Sequence, residues 1–75
     1  KTGVIALTQA LAQEVRGRGV TVNAVLPSTM DTEANRRAMP AADRRGWVTP
    51  ESVARAILFL ASDAAADVTG TLLAV

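Results

Sequence analysis

Polar side chains that can hydrogen-bond a ligand follow directly after an apolar segment, residues 20–26, that ends at a proline. They are Ser28, Thr29, Asp31 and Thr32, and Pro27 separates them from the apolar residues. In open α/β sheets, ligands bind in the crevice beyond the carboxyl ends of the parallel strands. If residues 20–26 form such a strand, these hydroxyl and carboxyl groups lie where a ligand binds. An ordinary polar loop between a strand and a helix is the alternative interpretation.

The residue types that the chain lacks restrict the chemistry further. There is no Cys and no His, which removes thiolate and imidazole metal ligands and the usual general base. We therefore expect no metal site. Eight basic and seven acidic residues give a net charge of +1, which is no electrostatic pattern for nucleic acid. Because no membrane-spanning segment and no signal peptide are recognisable, we expect a cytoplasmic protein without a membrane partner.

Hydrophobic periodicity predicts the elements that position these groups. Residues 20–26 are apolar almost throughout, which is typical of a parallel strand covered on both faces. Pro27 has no N–H, so we expect the strand ladder to end there. Helical spacing of apolar residues predicts a helix over residues 2–16. The residues on its apolar face are Val4, Leu7, Leu11 and Val15.

The short connection of residues 17–19 places this helix and strand antiparallel to each other. Residues 2–16 form a helix about 22 Å long at 1.5 Å per residue. Residues 20–26 form a strand about 23 Å long at 3.3 Å per residue. Because the lengths match, the start of the helix and the end of the strand meet at one edge. We therefore expect Lys1 to lie on the same rim as the loop of residues 27–32.

Residues 31–46 are polar, rich in Arg and without periodicity. A cap at Asp31 or Thr32 predicts a short helix, which the proline after Met39 would end. A long polar insertion at a ligand-binding rim often acts as a lid, and we predict that role here. The alternative is a surface excursion that Trp47 and Met39 hold in place.

Thr49-Pro50-Glu51 predicts the start of a second helix, over residues 50–62. Its expected inward face consists of Val53, Ala54, Ile57, Leu58 and Ala61, extended by Phe59 and Leu60. A final strand is predicted over residues 71–75. Residues 20–75 then form one strand–helix–strand unit with parallel strands, which defines an α/β fold.

Seventy-five residues make at most one small domain, and 49% of them are hydrophobic. A domain of this size buries only about 60% of its unfolded surface. The chain has more apolar residues than 75 residues can bury by themselves. Residues 1–75 are therefore expected to be part of a larger domain or an obligate partner of another chain.

Three segments, in order and at the right spacing, resemble the C-terminal part of a short-chain dehydrogenase/reductase. Residues 1–8 are similar to the segment that begins at the lysine of the Tyr-x-x-x-Lys motif. Residues 20–32 are similar to Val-Asn-x-Val-x-Pro-Gly-x-x-x-Thr. Residues 47–70 resemble the stretch in which Pro-Glu opens a helix and Phe-Leu-Ala-Ser-Asp and Thr-Gly follow. The resemblance implies a doubly wound, Rossmann-like parallel sheet that binds NAD or NADP, with residues 1–75 as its C-terminal fragment.

The resemblance also implies that Lys1 is the catalytic lysine. In that role Lys1 hydrogen-bonds the nicotinamide ribose and lowers the pKa of a tyrosine four residues earlier. An ammonium favours a nearby phenolate, so the tyrosine can exchange a proton with a carbonyl or alcohol oxygen. The alternative is that Lys1 is a solvated chain end.

In the family, backbone groups after Pro-Gly hold the nicotinamide carboxamide. Here the implied cofactor-binding residues besides Lys1 are Pro27, Ser28, Thr29, Met30 and Thr32, the last through its hydroxyl. Ser28 replaces the usual Gly and Met30 the usual Val or Ile. A Cβ makes positive φ less favourable, so roles for Met30 and Thr32 are better supported than one for Ser28.

Residues 31–43 resemble the corresponding segment of quinonoid dihydropteridine reductases and their bacterial relatives. The implied substrate-lid residues are Asp31, Asn35, Arg36 and Met39. This likeness points away from acyl-carrier substrates. The alternative is that Asn35 and Arg36 only cap and solvate the lid helix.

The expected function is hydride transfer between NAD(P)H and a carbonyl or imine-like substrate, within a longer chain. The tyrosine, the serine and the Gly-rich turn of the family are absent from these 75 residues, so we expect the isolated chain to be inactive. A homodimer or homotetramer is implied by the family's use of the helix of residues 2–16. The alternative function is a non-catalytic assembly module that uses the same helix.

Overall fold

The fold is given by a computed structural model that describes residues 2–75. In chain order the elements are α1 (Thr2–Glu14), β1 (Ala24–Leu26), α2 (Glu33–Ala38), α3 (Pro50–Leu60), a short 3-10 helix (Asp63–Ala65) and β2 (Leu72–Ala74). The strands β1 and β2 pair in parallel, with Ala24 opposite Leu72 and Leu26 opposite Ala74. This arrangement confirms the predicted α/β fold with a helical connection between parallel strands.

The helices α1 and α3 and both strands are shorter than predicted. The helix predicted over residues 2–16 ends at Glu14, and the one predicted over residues 50–62 ends at Leu60. A turn over residues 15–19 follows α1, and it requires the positive φ of Gly17 (82°) and Gly19 (74°). The strands predicted over 20–26 and 71–75 form ladders only at 24–26 and 72–74.

Just before β1, side-chain hydrogen bonds add to two backbone bonds, from the Gly70 amide to the Val22 carbonyl and from the Ala24 amide to the Thr71 carbonyl. The Nδ2 of Asn23 donates to the carbonyl of Val68 at 2.9 Å, and its Oδ1 accepts from the amide of Thr71 at 3.0 Å. The amide of Val22 donates to the hydroxyl of Thr69 at 3.1 Å. Asn23 thus fastens the start of β1 to the turn that precedes β2.

β1 ends at Leu26, directly before Pro27, as predicted, but hydrogen bonds to the other strand continue one residue beyond the proline. The amide of Ser28 donates to the Val75 carbonyl at 2.9 Å, and the Val75 amide donates to the Leu26 carbonyl at 3.1 Å. Along a strand, successive N–H groups face opposite edges. The position of Pro27 therefore faces the edge away from β2, where its missing N–H interrupts nothing in this ladder.

The buried face of α1 consists of small residues. Thr8 and Ala12 are 6% and 4% exposed, whereas Val4 and Leu7 are 56% and 60% exposed. Gly70 lies against this face, since a Cβ added to it would stand 3.5 Å from the Cβ of Ala12. The apolar face identified from helical spacing is therefore the outer face of α1.

The predicted inward face of α3 is confirmed in part, because Ile57, Leu60 and Ala61 line one cleft with Val25 of β1. Val53 is buried, while Ile57 and Leu58 are 52% and 68% exposed. Ala54, Phe59 and Ala61 are exposed as well. The least exposed apolar residues of the helix are Val53, Ala56 and Leu60. Apolar residues surround this helix on nearly all sides, so periodicity distinguished the side that β1 covers only in part.

The contact between Ala12 and Gly70 also fixes the direction of α1. Ala12 lies near the end of α1, and Gly70 precedes β2, so the end of α1 lies at the amino edge of the sheet. The thirteen residues of α1 span about 20 Å. Its first turn therefore lies toward the carboxyl edge, as the equal lengths of helix and strand predicted.

The described residues form a thin, open structure. The radius of gyration is 14.9 Å, whereas a compact domain of this length has about 11 Å. No side chain larger than Val is buried among the described residues, and large apolar side chains of α1 and α3 face solvent. Among residues 2–75, no helix has the length and apolar character needed to cross a bilayer.

Candidate functional site

The candidate site is the loop of residues 27–32, which leads from the carboxyl end of β1 to α2. Ser28 and Thr29 are exposed, and Pro27, Met30 and Thr32 are half-buried. The Ser28 amide is already bonded to the Val75 carbonyl. Ser28 therefore has no free backbone donor to offer a ligand, which agrees with the weaker role expected for it.

A single residue from the far end of the polar insertion sets the orientation of the loop backbone. Val48 donates its N–H to the carbonyl of Thr29 at 3.0 Å and accepts from the amide of Asp31 at 2.7 Å. In a trans peptide the C=O and N–H groups point in opposite directions, and no described peptide is cis. Both the N–H and the C=O of Met30 therefore point away from Val48.

The carbonyl of Met30 is fully occupied within the chain. It accepts from the backbone amide of Thr32 at 2.9 Å and from the Nδ2 of Asn35 at 2.8 Å. A carbonyl oxygen has two lone pairs, and these two bonds use both. The Met30 N–H, by contrast, has no acceptor among residues 2–75. Met30 thus offers a ligand one backbone donor on the side away from Val48.

Thr32 adds a side-chain group next to this donor. It is the N-cap of α2, with extended backbone (φ −121°, ψ 159°), and its hydroxyl accepts from the Asn35 amide at 3.2 Å. The cap confirms Thr32, and not Asp31, as the residue that begins the short helix. The hydroxyl keeps its proton and one lone pair. The two neighbouring residues can therefore bind a group that both accepts and donates, such as a primary carboxamide.

Asp31 and Arg36 form a bidentate ion pair instead of facing an open site. The Nε and Nη2 atoms of Arg36 donate to the two carboxylate oxygens at 2.6 Å and 2.9 Å. The hydrogen bond from Arg36 is the main reason why the pKa of Asp31 is lowered. The two hydrogen bonds of the pair link α2 to the loop. Because the two charges neutralise each other, the pair presents little net charge to a ligand.

The remainder of the insertion is held by local contacts. Arg37 pairs with Glu33 on α2, and Arg45 pairs with Asp43 at 2.6 Å. The Arg44 guanidinium lies 6.0 Å from the centre of the Trp47 ring. These contacts join residues close in sequence, so they shape the insertion without tying its tip to the sheet.

The insertion is closed at its base. Met39 is 39% exposed and Trp47 is half-buried, and the alternative of a surface excursion held by these two residues stays open. Met30 and Val48 form a parallel bridge, and the residues between them extend from it. Loops with paired ends of this kind are frequently functional, and the lid role of residues 31–46 stays a prediction.

Sequence reasoning did not find Val48. Its only signal was one β-branched residue after Trp47, and a pairing one residue long has no periodicity to detect. Lys1 lies outside the described residues, and its catalytic role stays a prediction. No group of three or more acidic residues among residues 2–75 could hold a metal ion.

The comparisons with known proteins agree with this fold. A family profile described as enoyl-(acyl carrier protein) reductase matches residues 1–75. A solved short-chain dehydrogenase/reductase family protein superimposes with a TM-score of 0.89 and 37% identity, over 100% of this chain and 33% of that one. The chain belongs to the short-chain dehydrogenase/reductase family, and it corresponds to the C-terminal part of that fold.

Two curated relatives are similar to the chain over most of its length. Acetoacetyl-CoA reductase of Rhizobium meliloti is 41% identical over 80 residues, covering 95% of this chain and 33% of the relative. The 3-oxoacyl-[acyl-carrier-protein] reductase of Pseudomonas aeruginosa is 42% identical over 79 residues, covering 93% and 32%. The chain thus spans about a third of the length of these relatives.

A structure from Agrobacterium tumefaciens, solved with bound NADP, has a TM-score of 0.85 and 35% identity and covers 99% of this chain and 34% of that one. The names of the two curated relatives support the reductase class. They give no support to the pterin substrate that residues 31–43 suggested, nor to its argument against acyl-carrier substrates.

Proposed function

We propose that the chain is the C-terminal part of an NAD(P)-dependent reductase that acts on a carbonyl or imine-like substrate. The observation that carries the proposal is the Met30 N–H, which has no acceptor among residues 2–75 and points away from Val48, together with the Thr32 hydroxyl two residues later. Family membership makes a nicotinamide cofactor the natural occupant of that position. The cofactor, when bound, supplies the hydride.

The residues fit a nicotinamide carboxamide. The N–H of Met30 donates to the carboxamide oxygen, and the Thr32 hydroxyl accepts from the carboxamide nitrogen. Thr29 has a second backbone N–H without an acceptor among residues 2–75. Pro27 and Ser28 contribute the wall of the site, since the first has no N–H and the second has its N–H bonded to Val75.

We assign the proton-transfer role of the lysine to Lys1. The direction of α1 supports the assignment, because its first turn lies toward the carboxyl edge, where the loop of residues 27–32 begins. An ammonium group there would lower the pKa of a tyrosine one helical turn earlier in a longer chain. That tyrosine would then exchange its proton with the substrate oxygen.

For the substrate, we favour a 3-oxoacyl or acetoacetyl thioester, in line with the names of the two curated relatives. The lid residues Asp31, Asn35, Arg36 and Met39 would cover it. A quinonoid dihydropterin is the second candidate, and it rests only on the sequence of residues 31–43.

We further propose that the full-length protein is a homodimer or homotetramer. The outer face of α1 carries Val4, Leu7 and Leu11, which are 56%, 60% and 38% exposed. Such a face also suits the rival function, a non-catalytic assembly module. The rival predicts association without any affinity for a nicotinamide cofactor.

Turnover by the full-length protein tests the proposal. NADH and NADPH oxidation would be followed with acetoacetyl-CoA, quinonoid dihydropterin and a simple ketone as alternative substrates. We expect turnover that is highest with acetoacetyl-CoA, and none by the isolated 75 residues. Highest turnover with the pterin would select the second substrate, and no turnover with any of them would favour the assembly module.

A variant of Lys1 completes this test. We expect Lys1→Ala to lower kcat by about 100-fold or more, the range of a proton-transfer contribution. Arg18→Ala is the matched control, because Arg18 is an exposed cation in the turn at the opposite edge of the sheet. Equal losses in the two variants would contradict the catalytic assignment of Lys1.

A further inference from the structure

One residue of α2, the predicted lid helix, is bonded to both residues that we assign to the carboxamide, Met30 and Thr32. Asn35 donates its backbone N–H to the Thr32 hydroxyl at 3.2 Å, and its side-chain Nδ2 to the Met30 carbonyl at 2.8 Å. Asn35 is half-buried and holds the next turn as well, since its carbonyl accepts from the Met39 amide at 2.9 Å.

These two bonds restrict the orientation in which a carboxamide can bind. With both lone pairs of the Met30 carbonyl in use, the carboxamide nitrogen has no acceptor there. With one lone pair of Thr32 used by the Asn35 amide, the other is left for the ligand. Asn35 therefore selects a single orientation, with the carboxamide oxygen on Met30 and its nitrogen on Thr32.

We propose that Asn35 is a positioning residue that couples the place of α2 to the nicotinamide end of the cofactor. The inference rests on the proposed function. A displacement of α2 carries Asn35 with it, because Asn35 lies within the helix. Loss of its side-chain bond leaves one lone pair of the Met30 carbonyl open to the carboxamide nitrogen, so the orientation of the carboxamide is no longer selected. While the Asn35 bonds are intact, a movement of α2 therefore also moves the cofactor-binding residues Met30 and Thr32.

The test compares two ligands that differ only at the nicotinamide end. The dissociation constants of NADH and of ADP-ribose would be measured for the full-length protein by calorimetry. If the protein prefers the 2′-phosphorylated cofactor, NADPH and 2′-phospho-ADP-ribose replace them. The quantity compared between variants is the dissociation constant of ADP-ribose divided by that of NADH. Partial unfolding weakens the binding of both ligands by the same factor, so it leaves this ratio unchanged.

The main variant is Asn35→Asp, which keeps the shape and the backbone N–H but cannot donate to the Met30 carbonyl. Asn35→Ala is the second variant, and Asn35→Gln tests rescue by a longer amide. We expect the ratio to fall about fivefold in Asn35→Ala, the usual effect of one hydrogen bond, further in Asn35→Asp, and less in Asn35→Gln. Arg37→Ala, on the exposed side of the same helix, is the control and keeps the wild-type ratio.

Two results would overturn the inference, and they differ in what else they affect. An unchanged ratio in Asn35→Asp and Asn35→Ala, with or without weaker binding overall, would show a merely structural role and leave the proposed function standing. A wild-type protein that binds NADH no better than ADP-ribose would overturn the proposed function itself. That second result appears before any variant is made.

Discussion

Val48 lies beside Met30 in a parallel bridge, and its two hydrogen bonds to Thr29 and Asp31 direct the Met30 N–H away from Val48. The bridge joins the second residue after the polar insertion to the loop before it. A residue to which the sequence assigned no role thus orients the donor on which the proposed cofactor site depends.

Removing the Val48 N–H should disturb that donor. We expect Val48→Pro to raise the KM for NADH in the full-length protein by about fivefold, because the Thr29 carbonyl loses its partner and the peptide before Met30 is free to rotate. Val48→Thr keeps the N–H and should behave as wild type. Steady-state kinetics with both variants check this, and equal KM values in the two would refute the orienting role.

The ion pair between Asp31 and Arg36 predicts a specific titration. Its hydrogen bonds lower the pKa of Asp31 below the ordinary value of 3.8. The stabilisation is therefore present above the ordinary value, and it is lost as the pH falls through the lower folded pKa. We expect Arg36→Gln to raise the Asp31 pKa toward the ordinary value, as followed by the carboxyl carbon resonance.

Arg37→Gln is the control for this titration, because Arg37 pairs with Glu33 and not with Asp31. It should leave the Asp31 pKa where it is in the wild type. An Asp31 pKa that is the same in Arg36→Gln as in the wild type would mean that the ion pair is not formed in solution.

The cap of α3 gives a stability prediction. The Thr49 hydroxyl accepts from the Ser52 amide at 3.1 Å, and Pro50 begins the helix. We expect Thr49→Ala to lower the free energy of unfolding of the full-length protein by about 1 kcal/mol, because the Ser52 amide loses its side-chain acceptor and keeps only the Thr49 carbonyl. Thr49→Ser retains the cap and should lose far less. Urea denaturation measures both, and equal losses would show that the hydroxyl is not the cause.

The outer face of α1 predicts self-association of the full-length protein. Leu7 is 60% exposed in a row with Val4 and Leu11, and an apolar row of this kind is stabilised by burial against another surface. We expect Leu7→Lys to lower the molar mass measured by light scattering to that of a smaller species. Gln9→Lys, an exposed polar position on the same helix, should leave the mass unchanged. An unaltered mass in Leu7→Lys would place any interface elsewhere.

Local signals predicted the helix starts well. Thr32 and Thr49 both cap helices where their sequence context indicated, because a cap depends on a hydroxyl and an amide three residues apart. The direction of α1 also followed from sequence, since only element lengths and a short glycine turn were needed. The parallel pairing of the two strands followed from the helix between them.

Long-range relationships could not be predicted in the same way. The strand ends depend on which partner lies alongside, and Asn23 adds side-chain bonds to Val68 and Thr71. The exposure of Leu58 depends on which side of α3 β1 covers. The role of Val48 depends on its bridge to Met30, which closes a long loop, and no local sequence pattern indicates such a pairing.

The amide resonance of Met30 tests the central claim most directly. In the full-length protein labelled with nitrogen-15, saturating NADH should shift the Met30 amide proton downfield, as expected for a new hydrogen bond to the carboxamide. Saturating ADP-ribose, which lacks the nicotinamide, should leave it in place, and the Ser28 amide, bonded to Val75, should move little with either ligand. A Met30 amide that does not respond to saturating NADH would contradict the assignment of this loop to the nicotinamide.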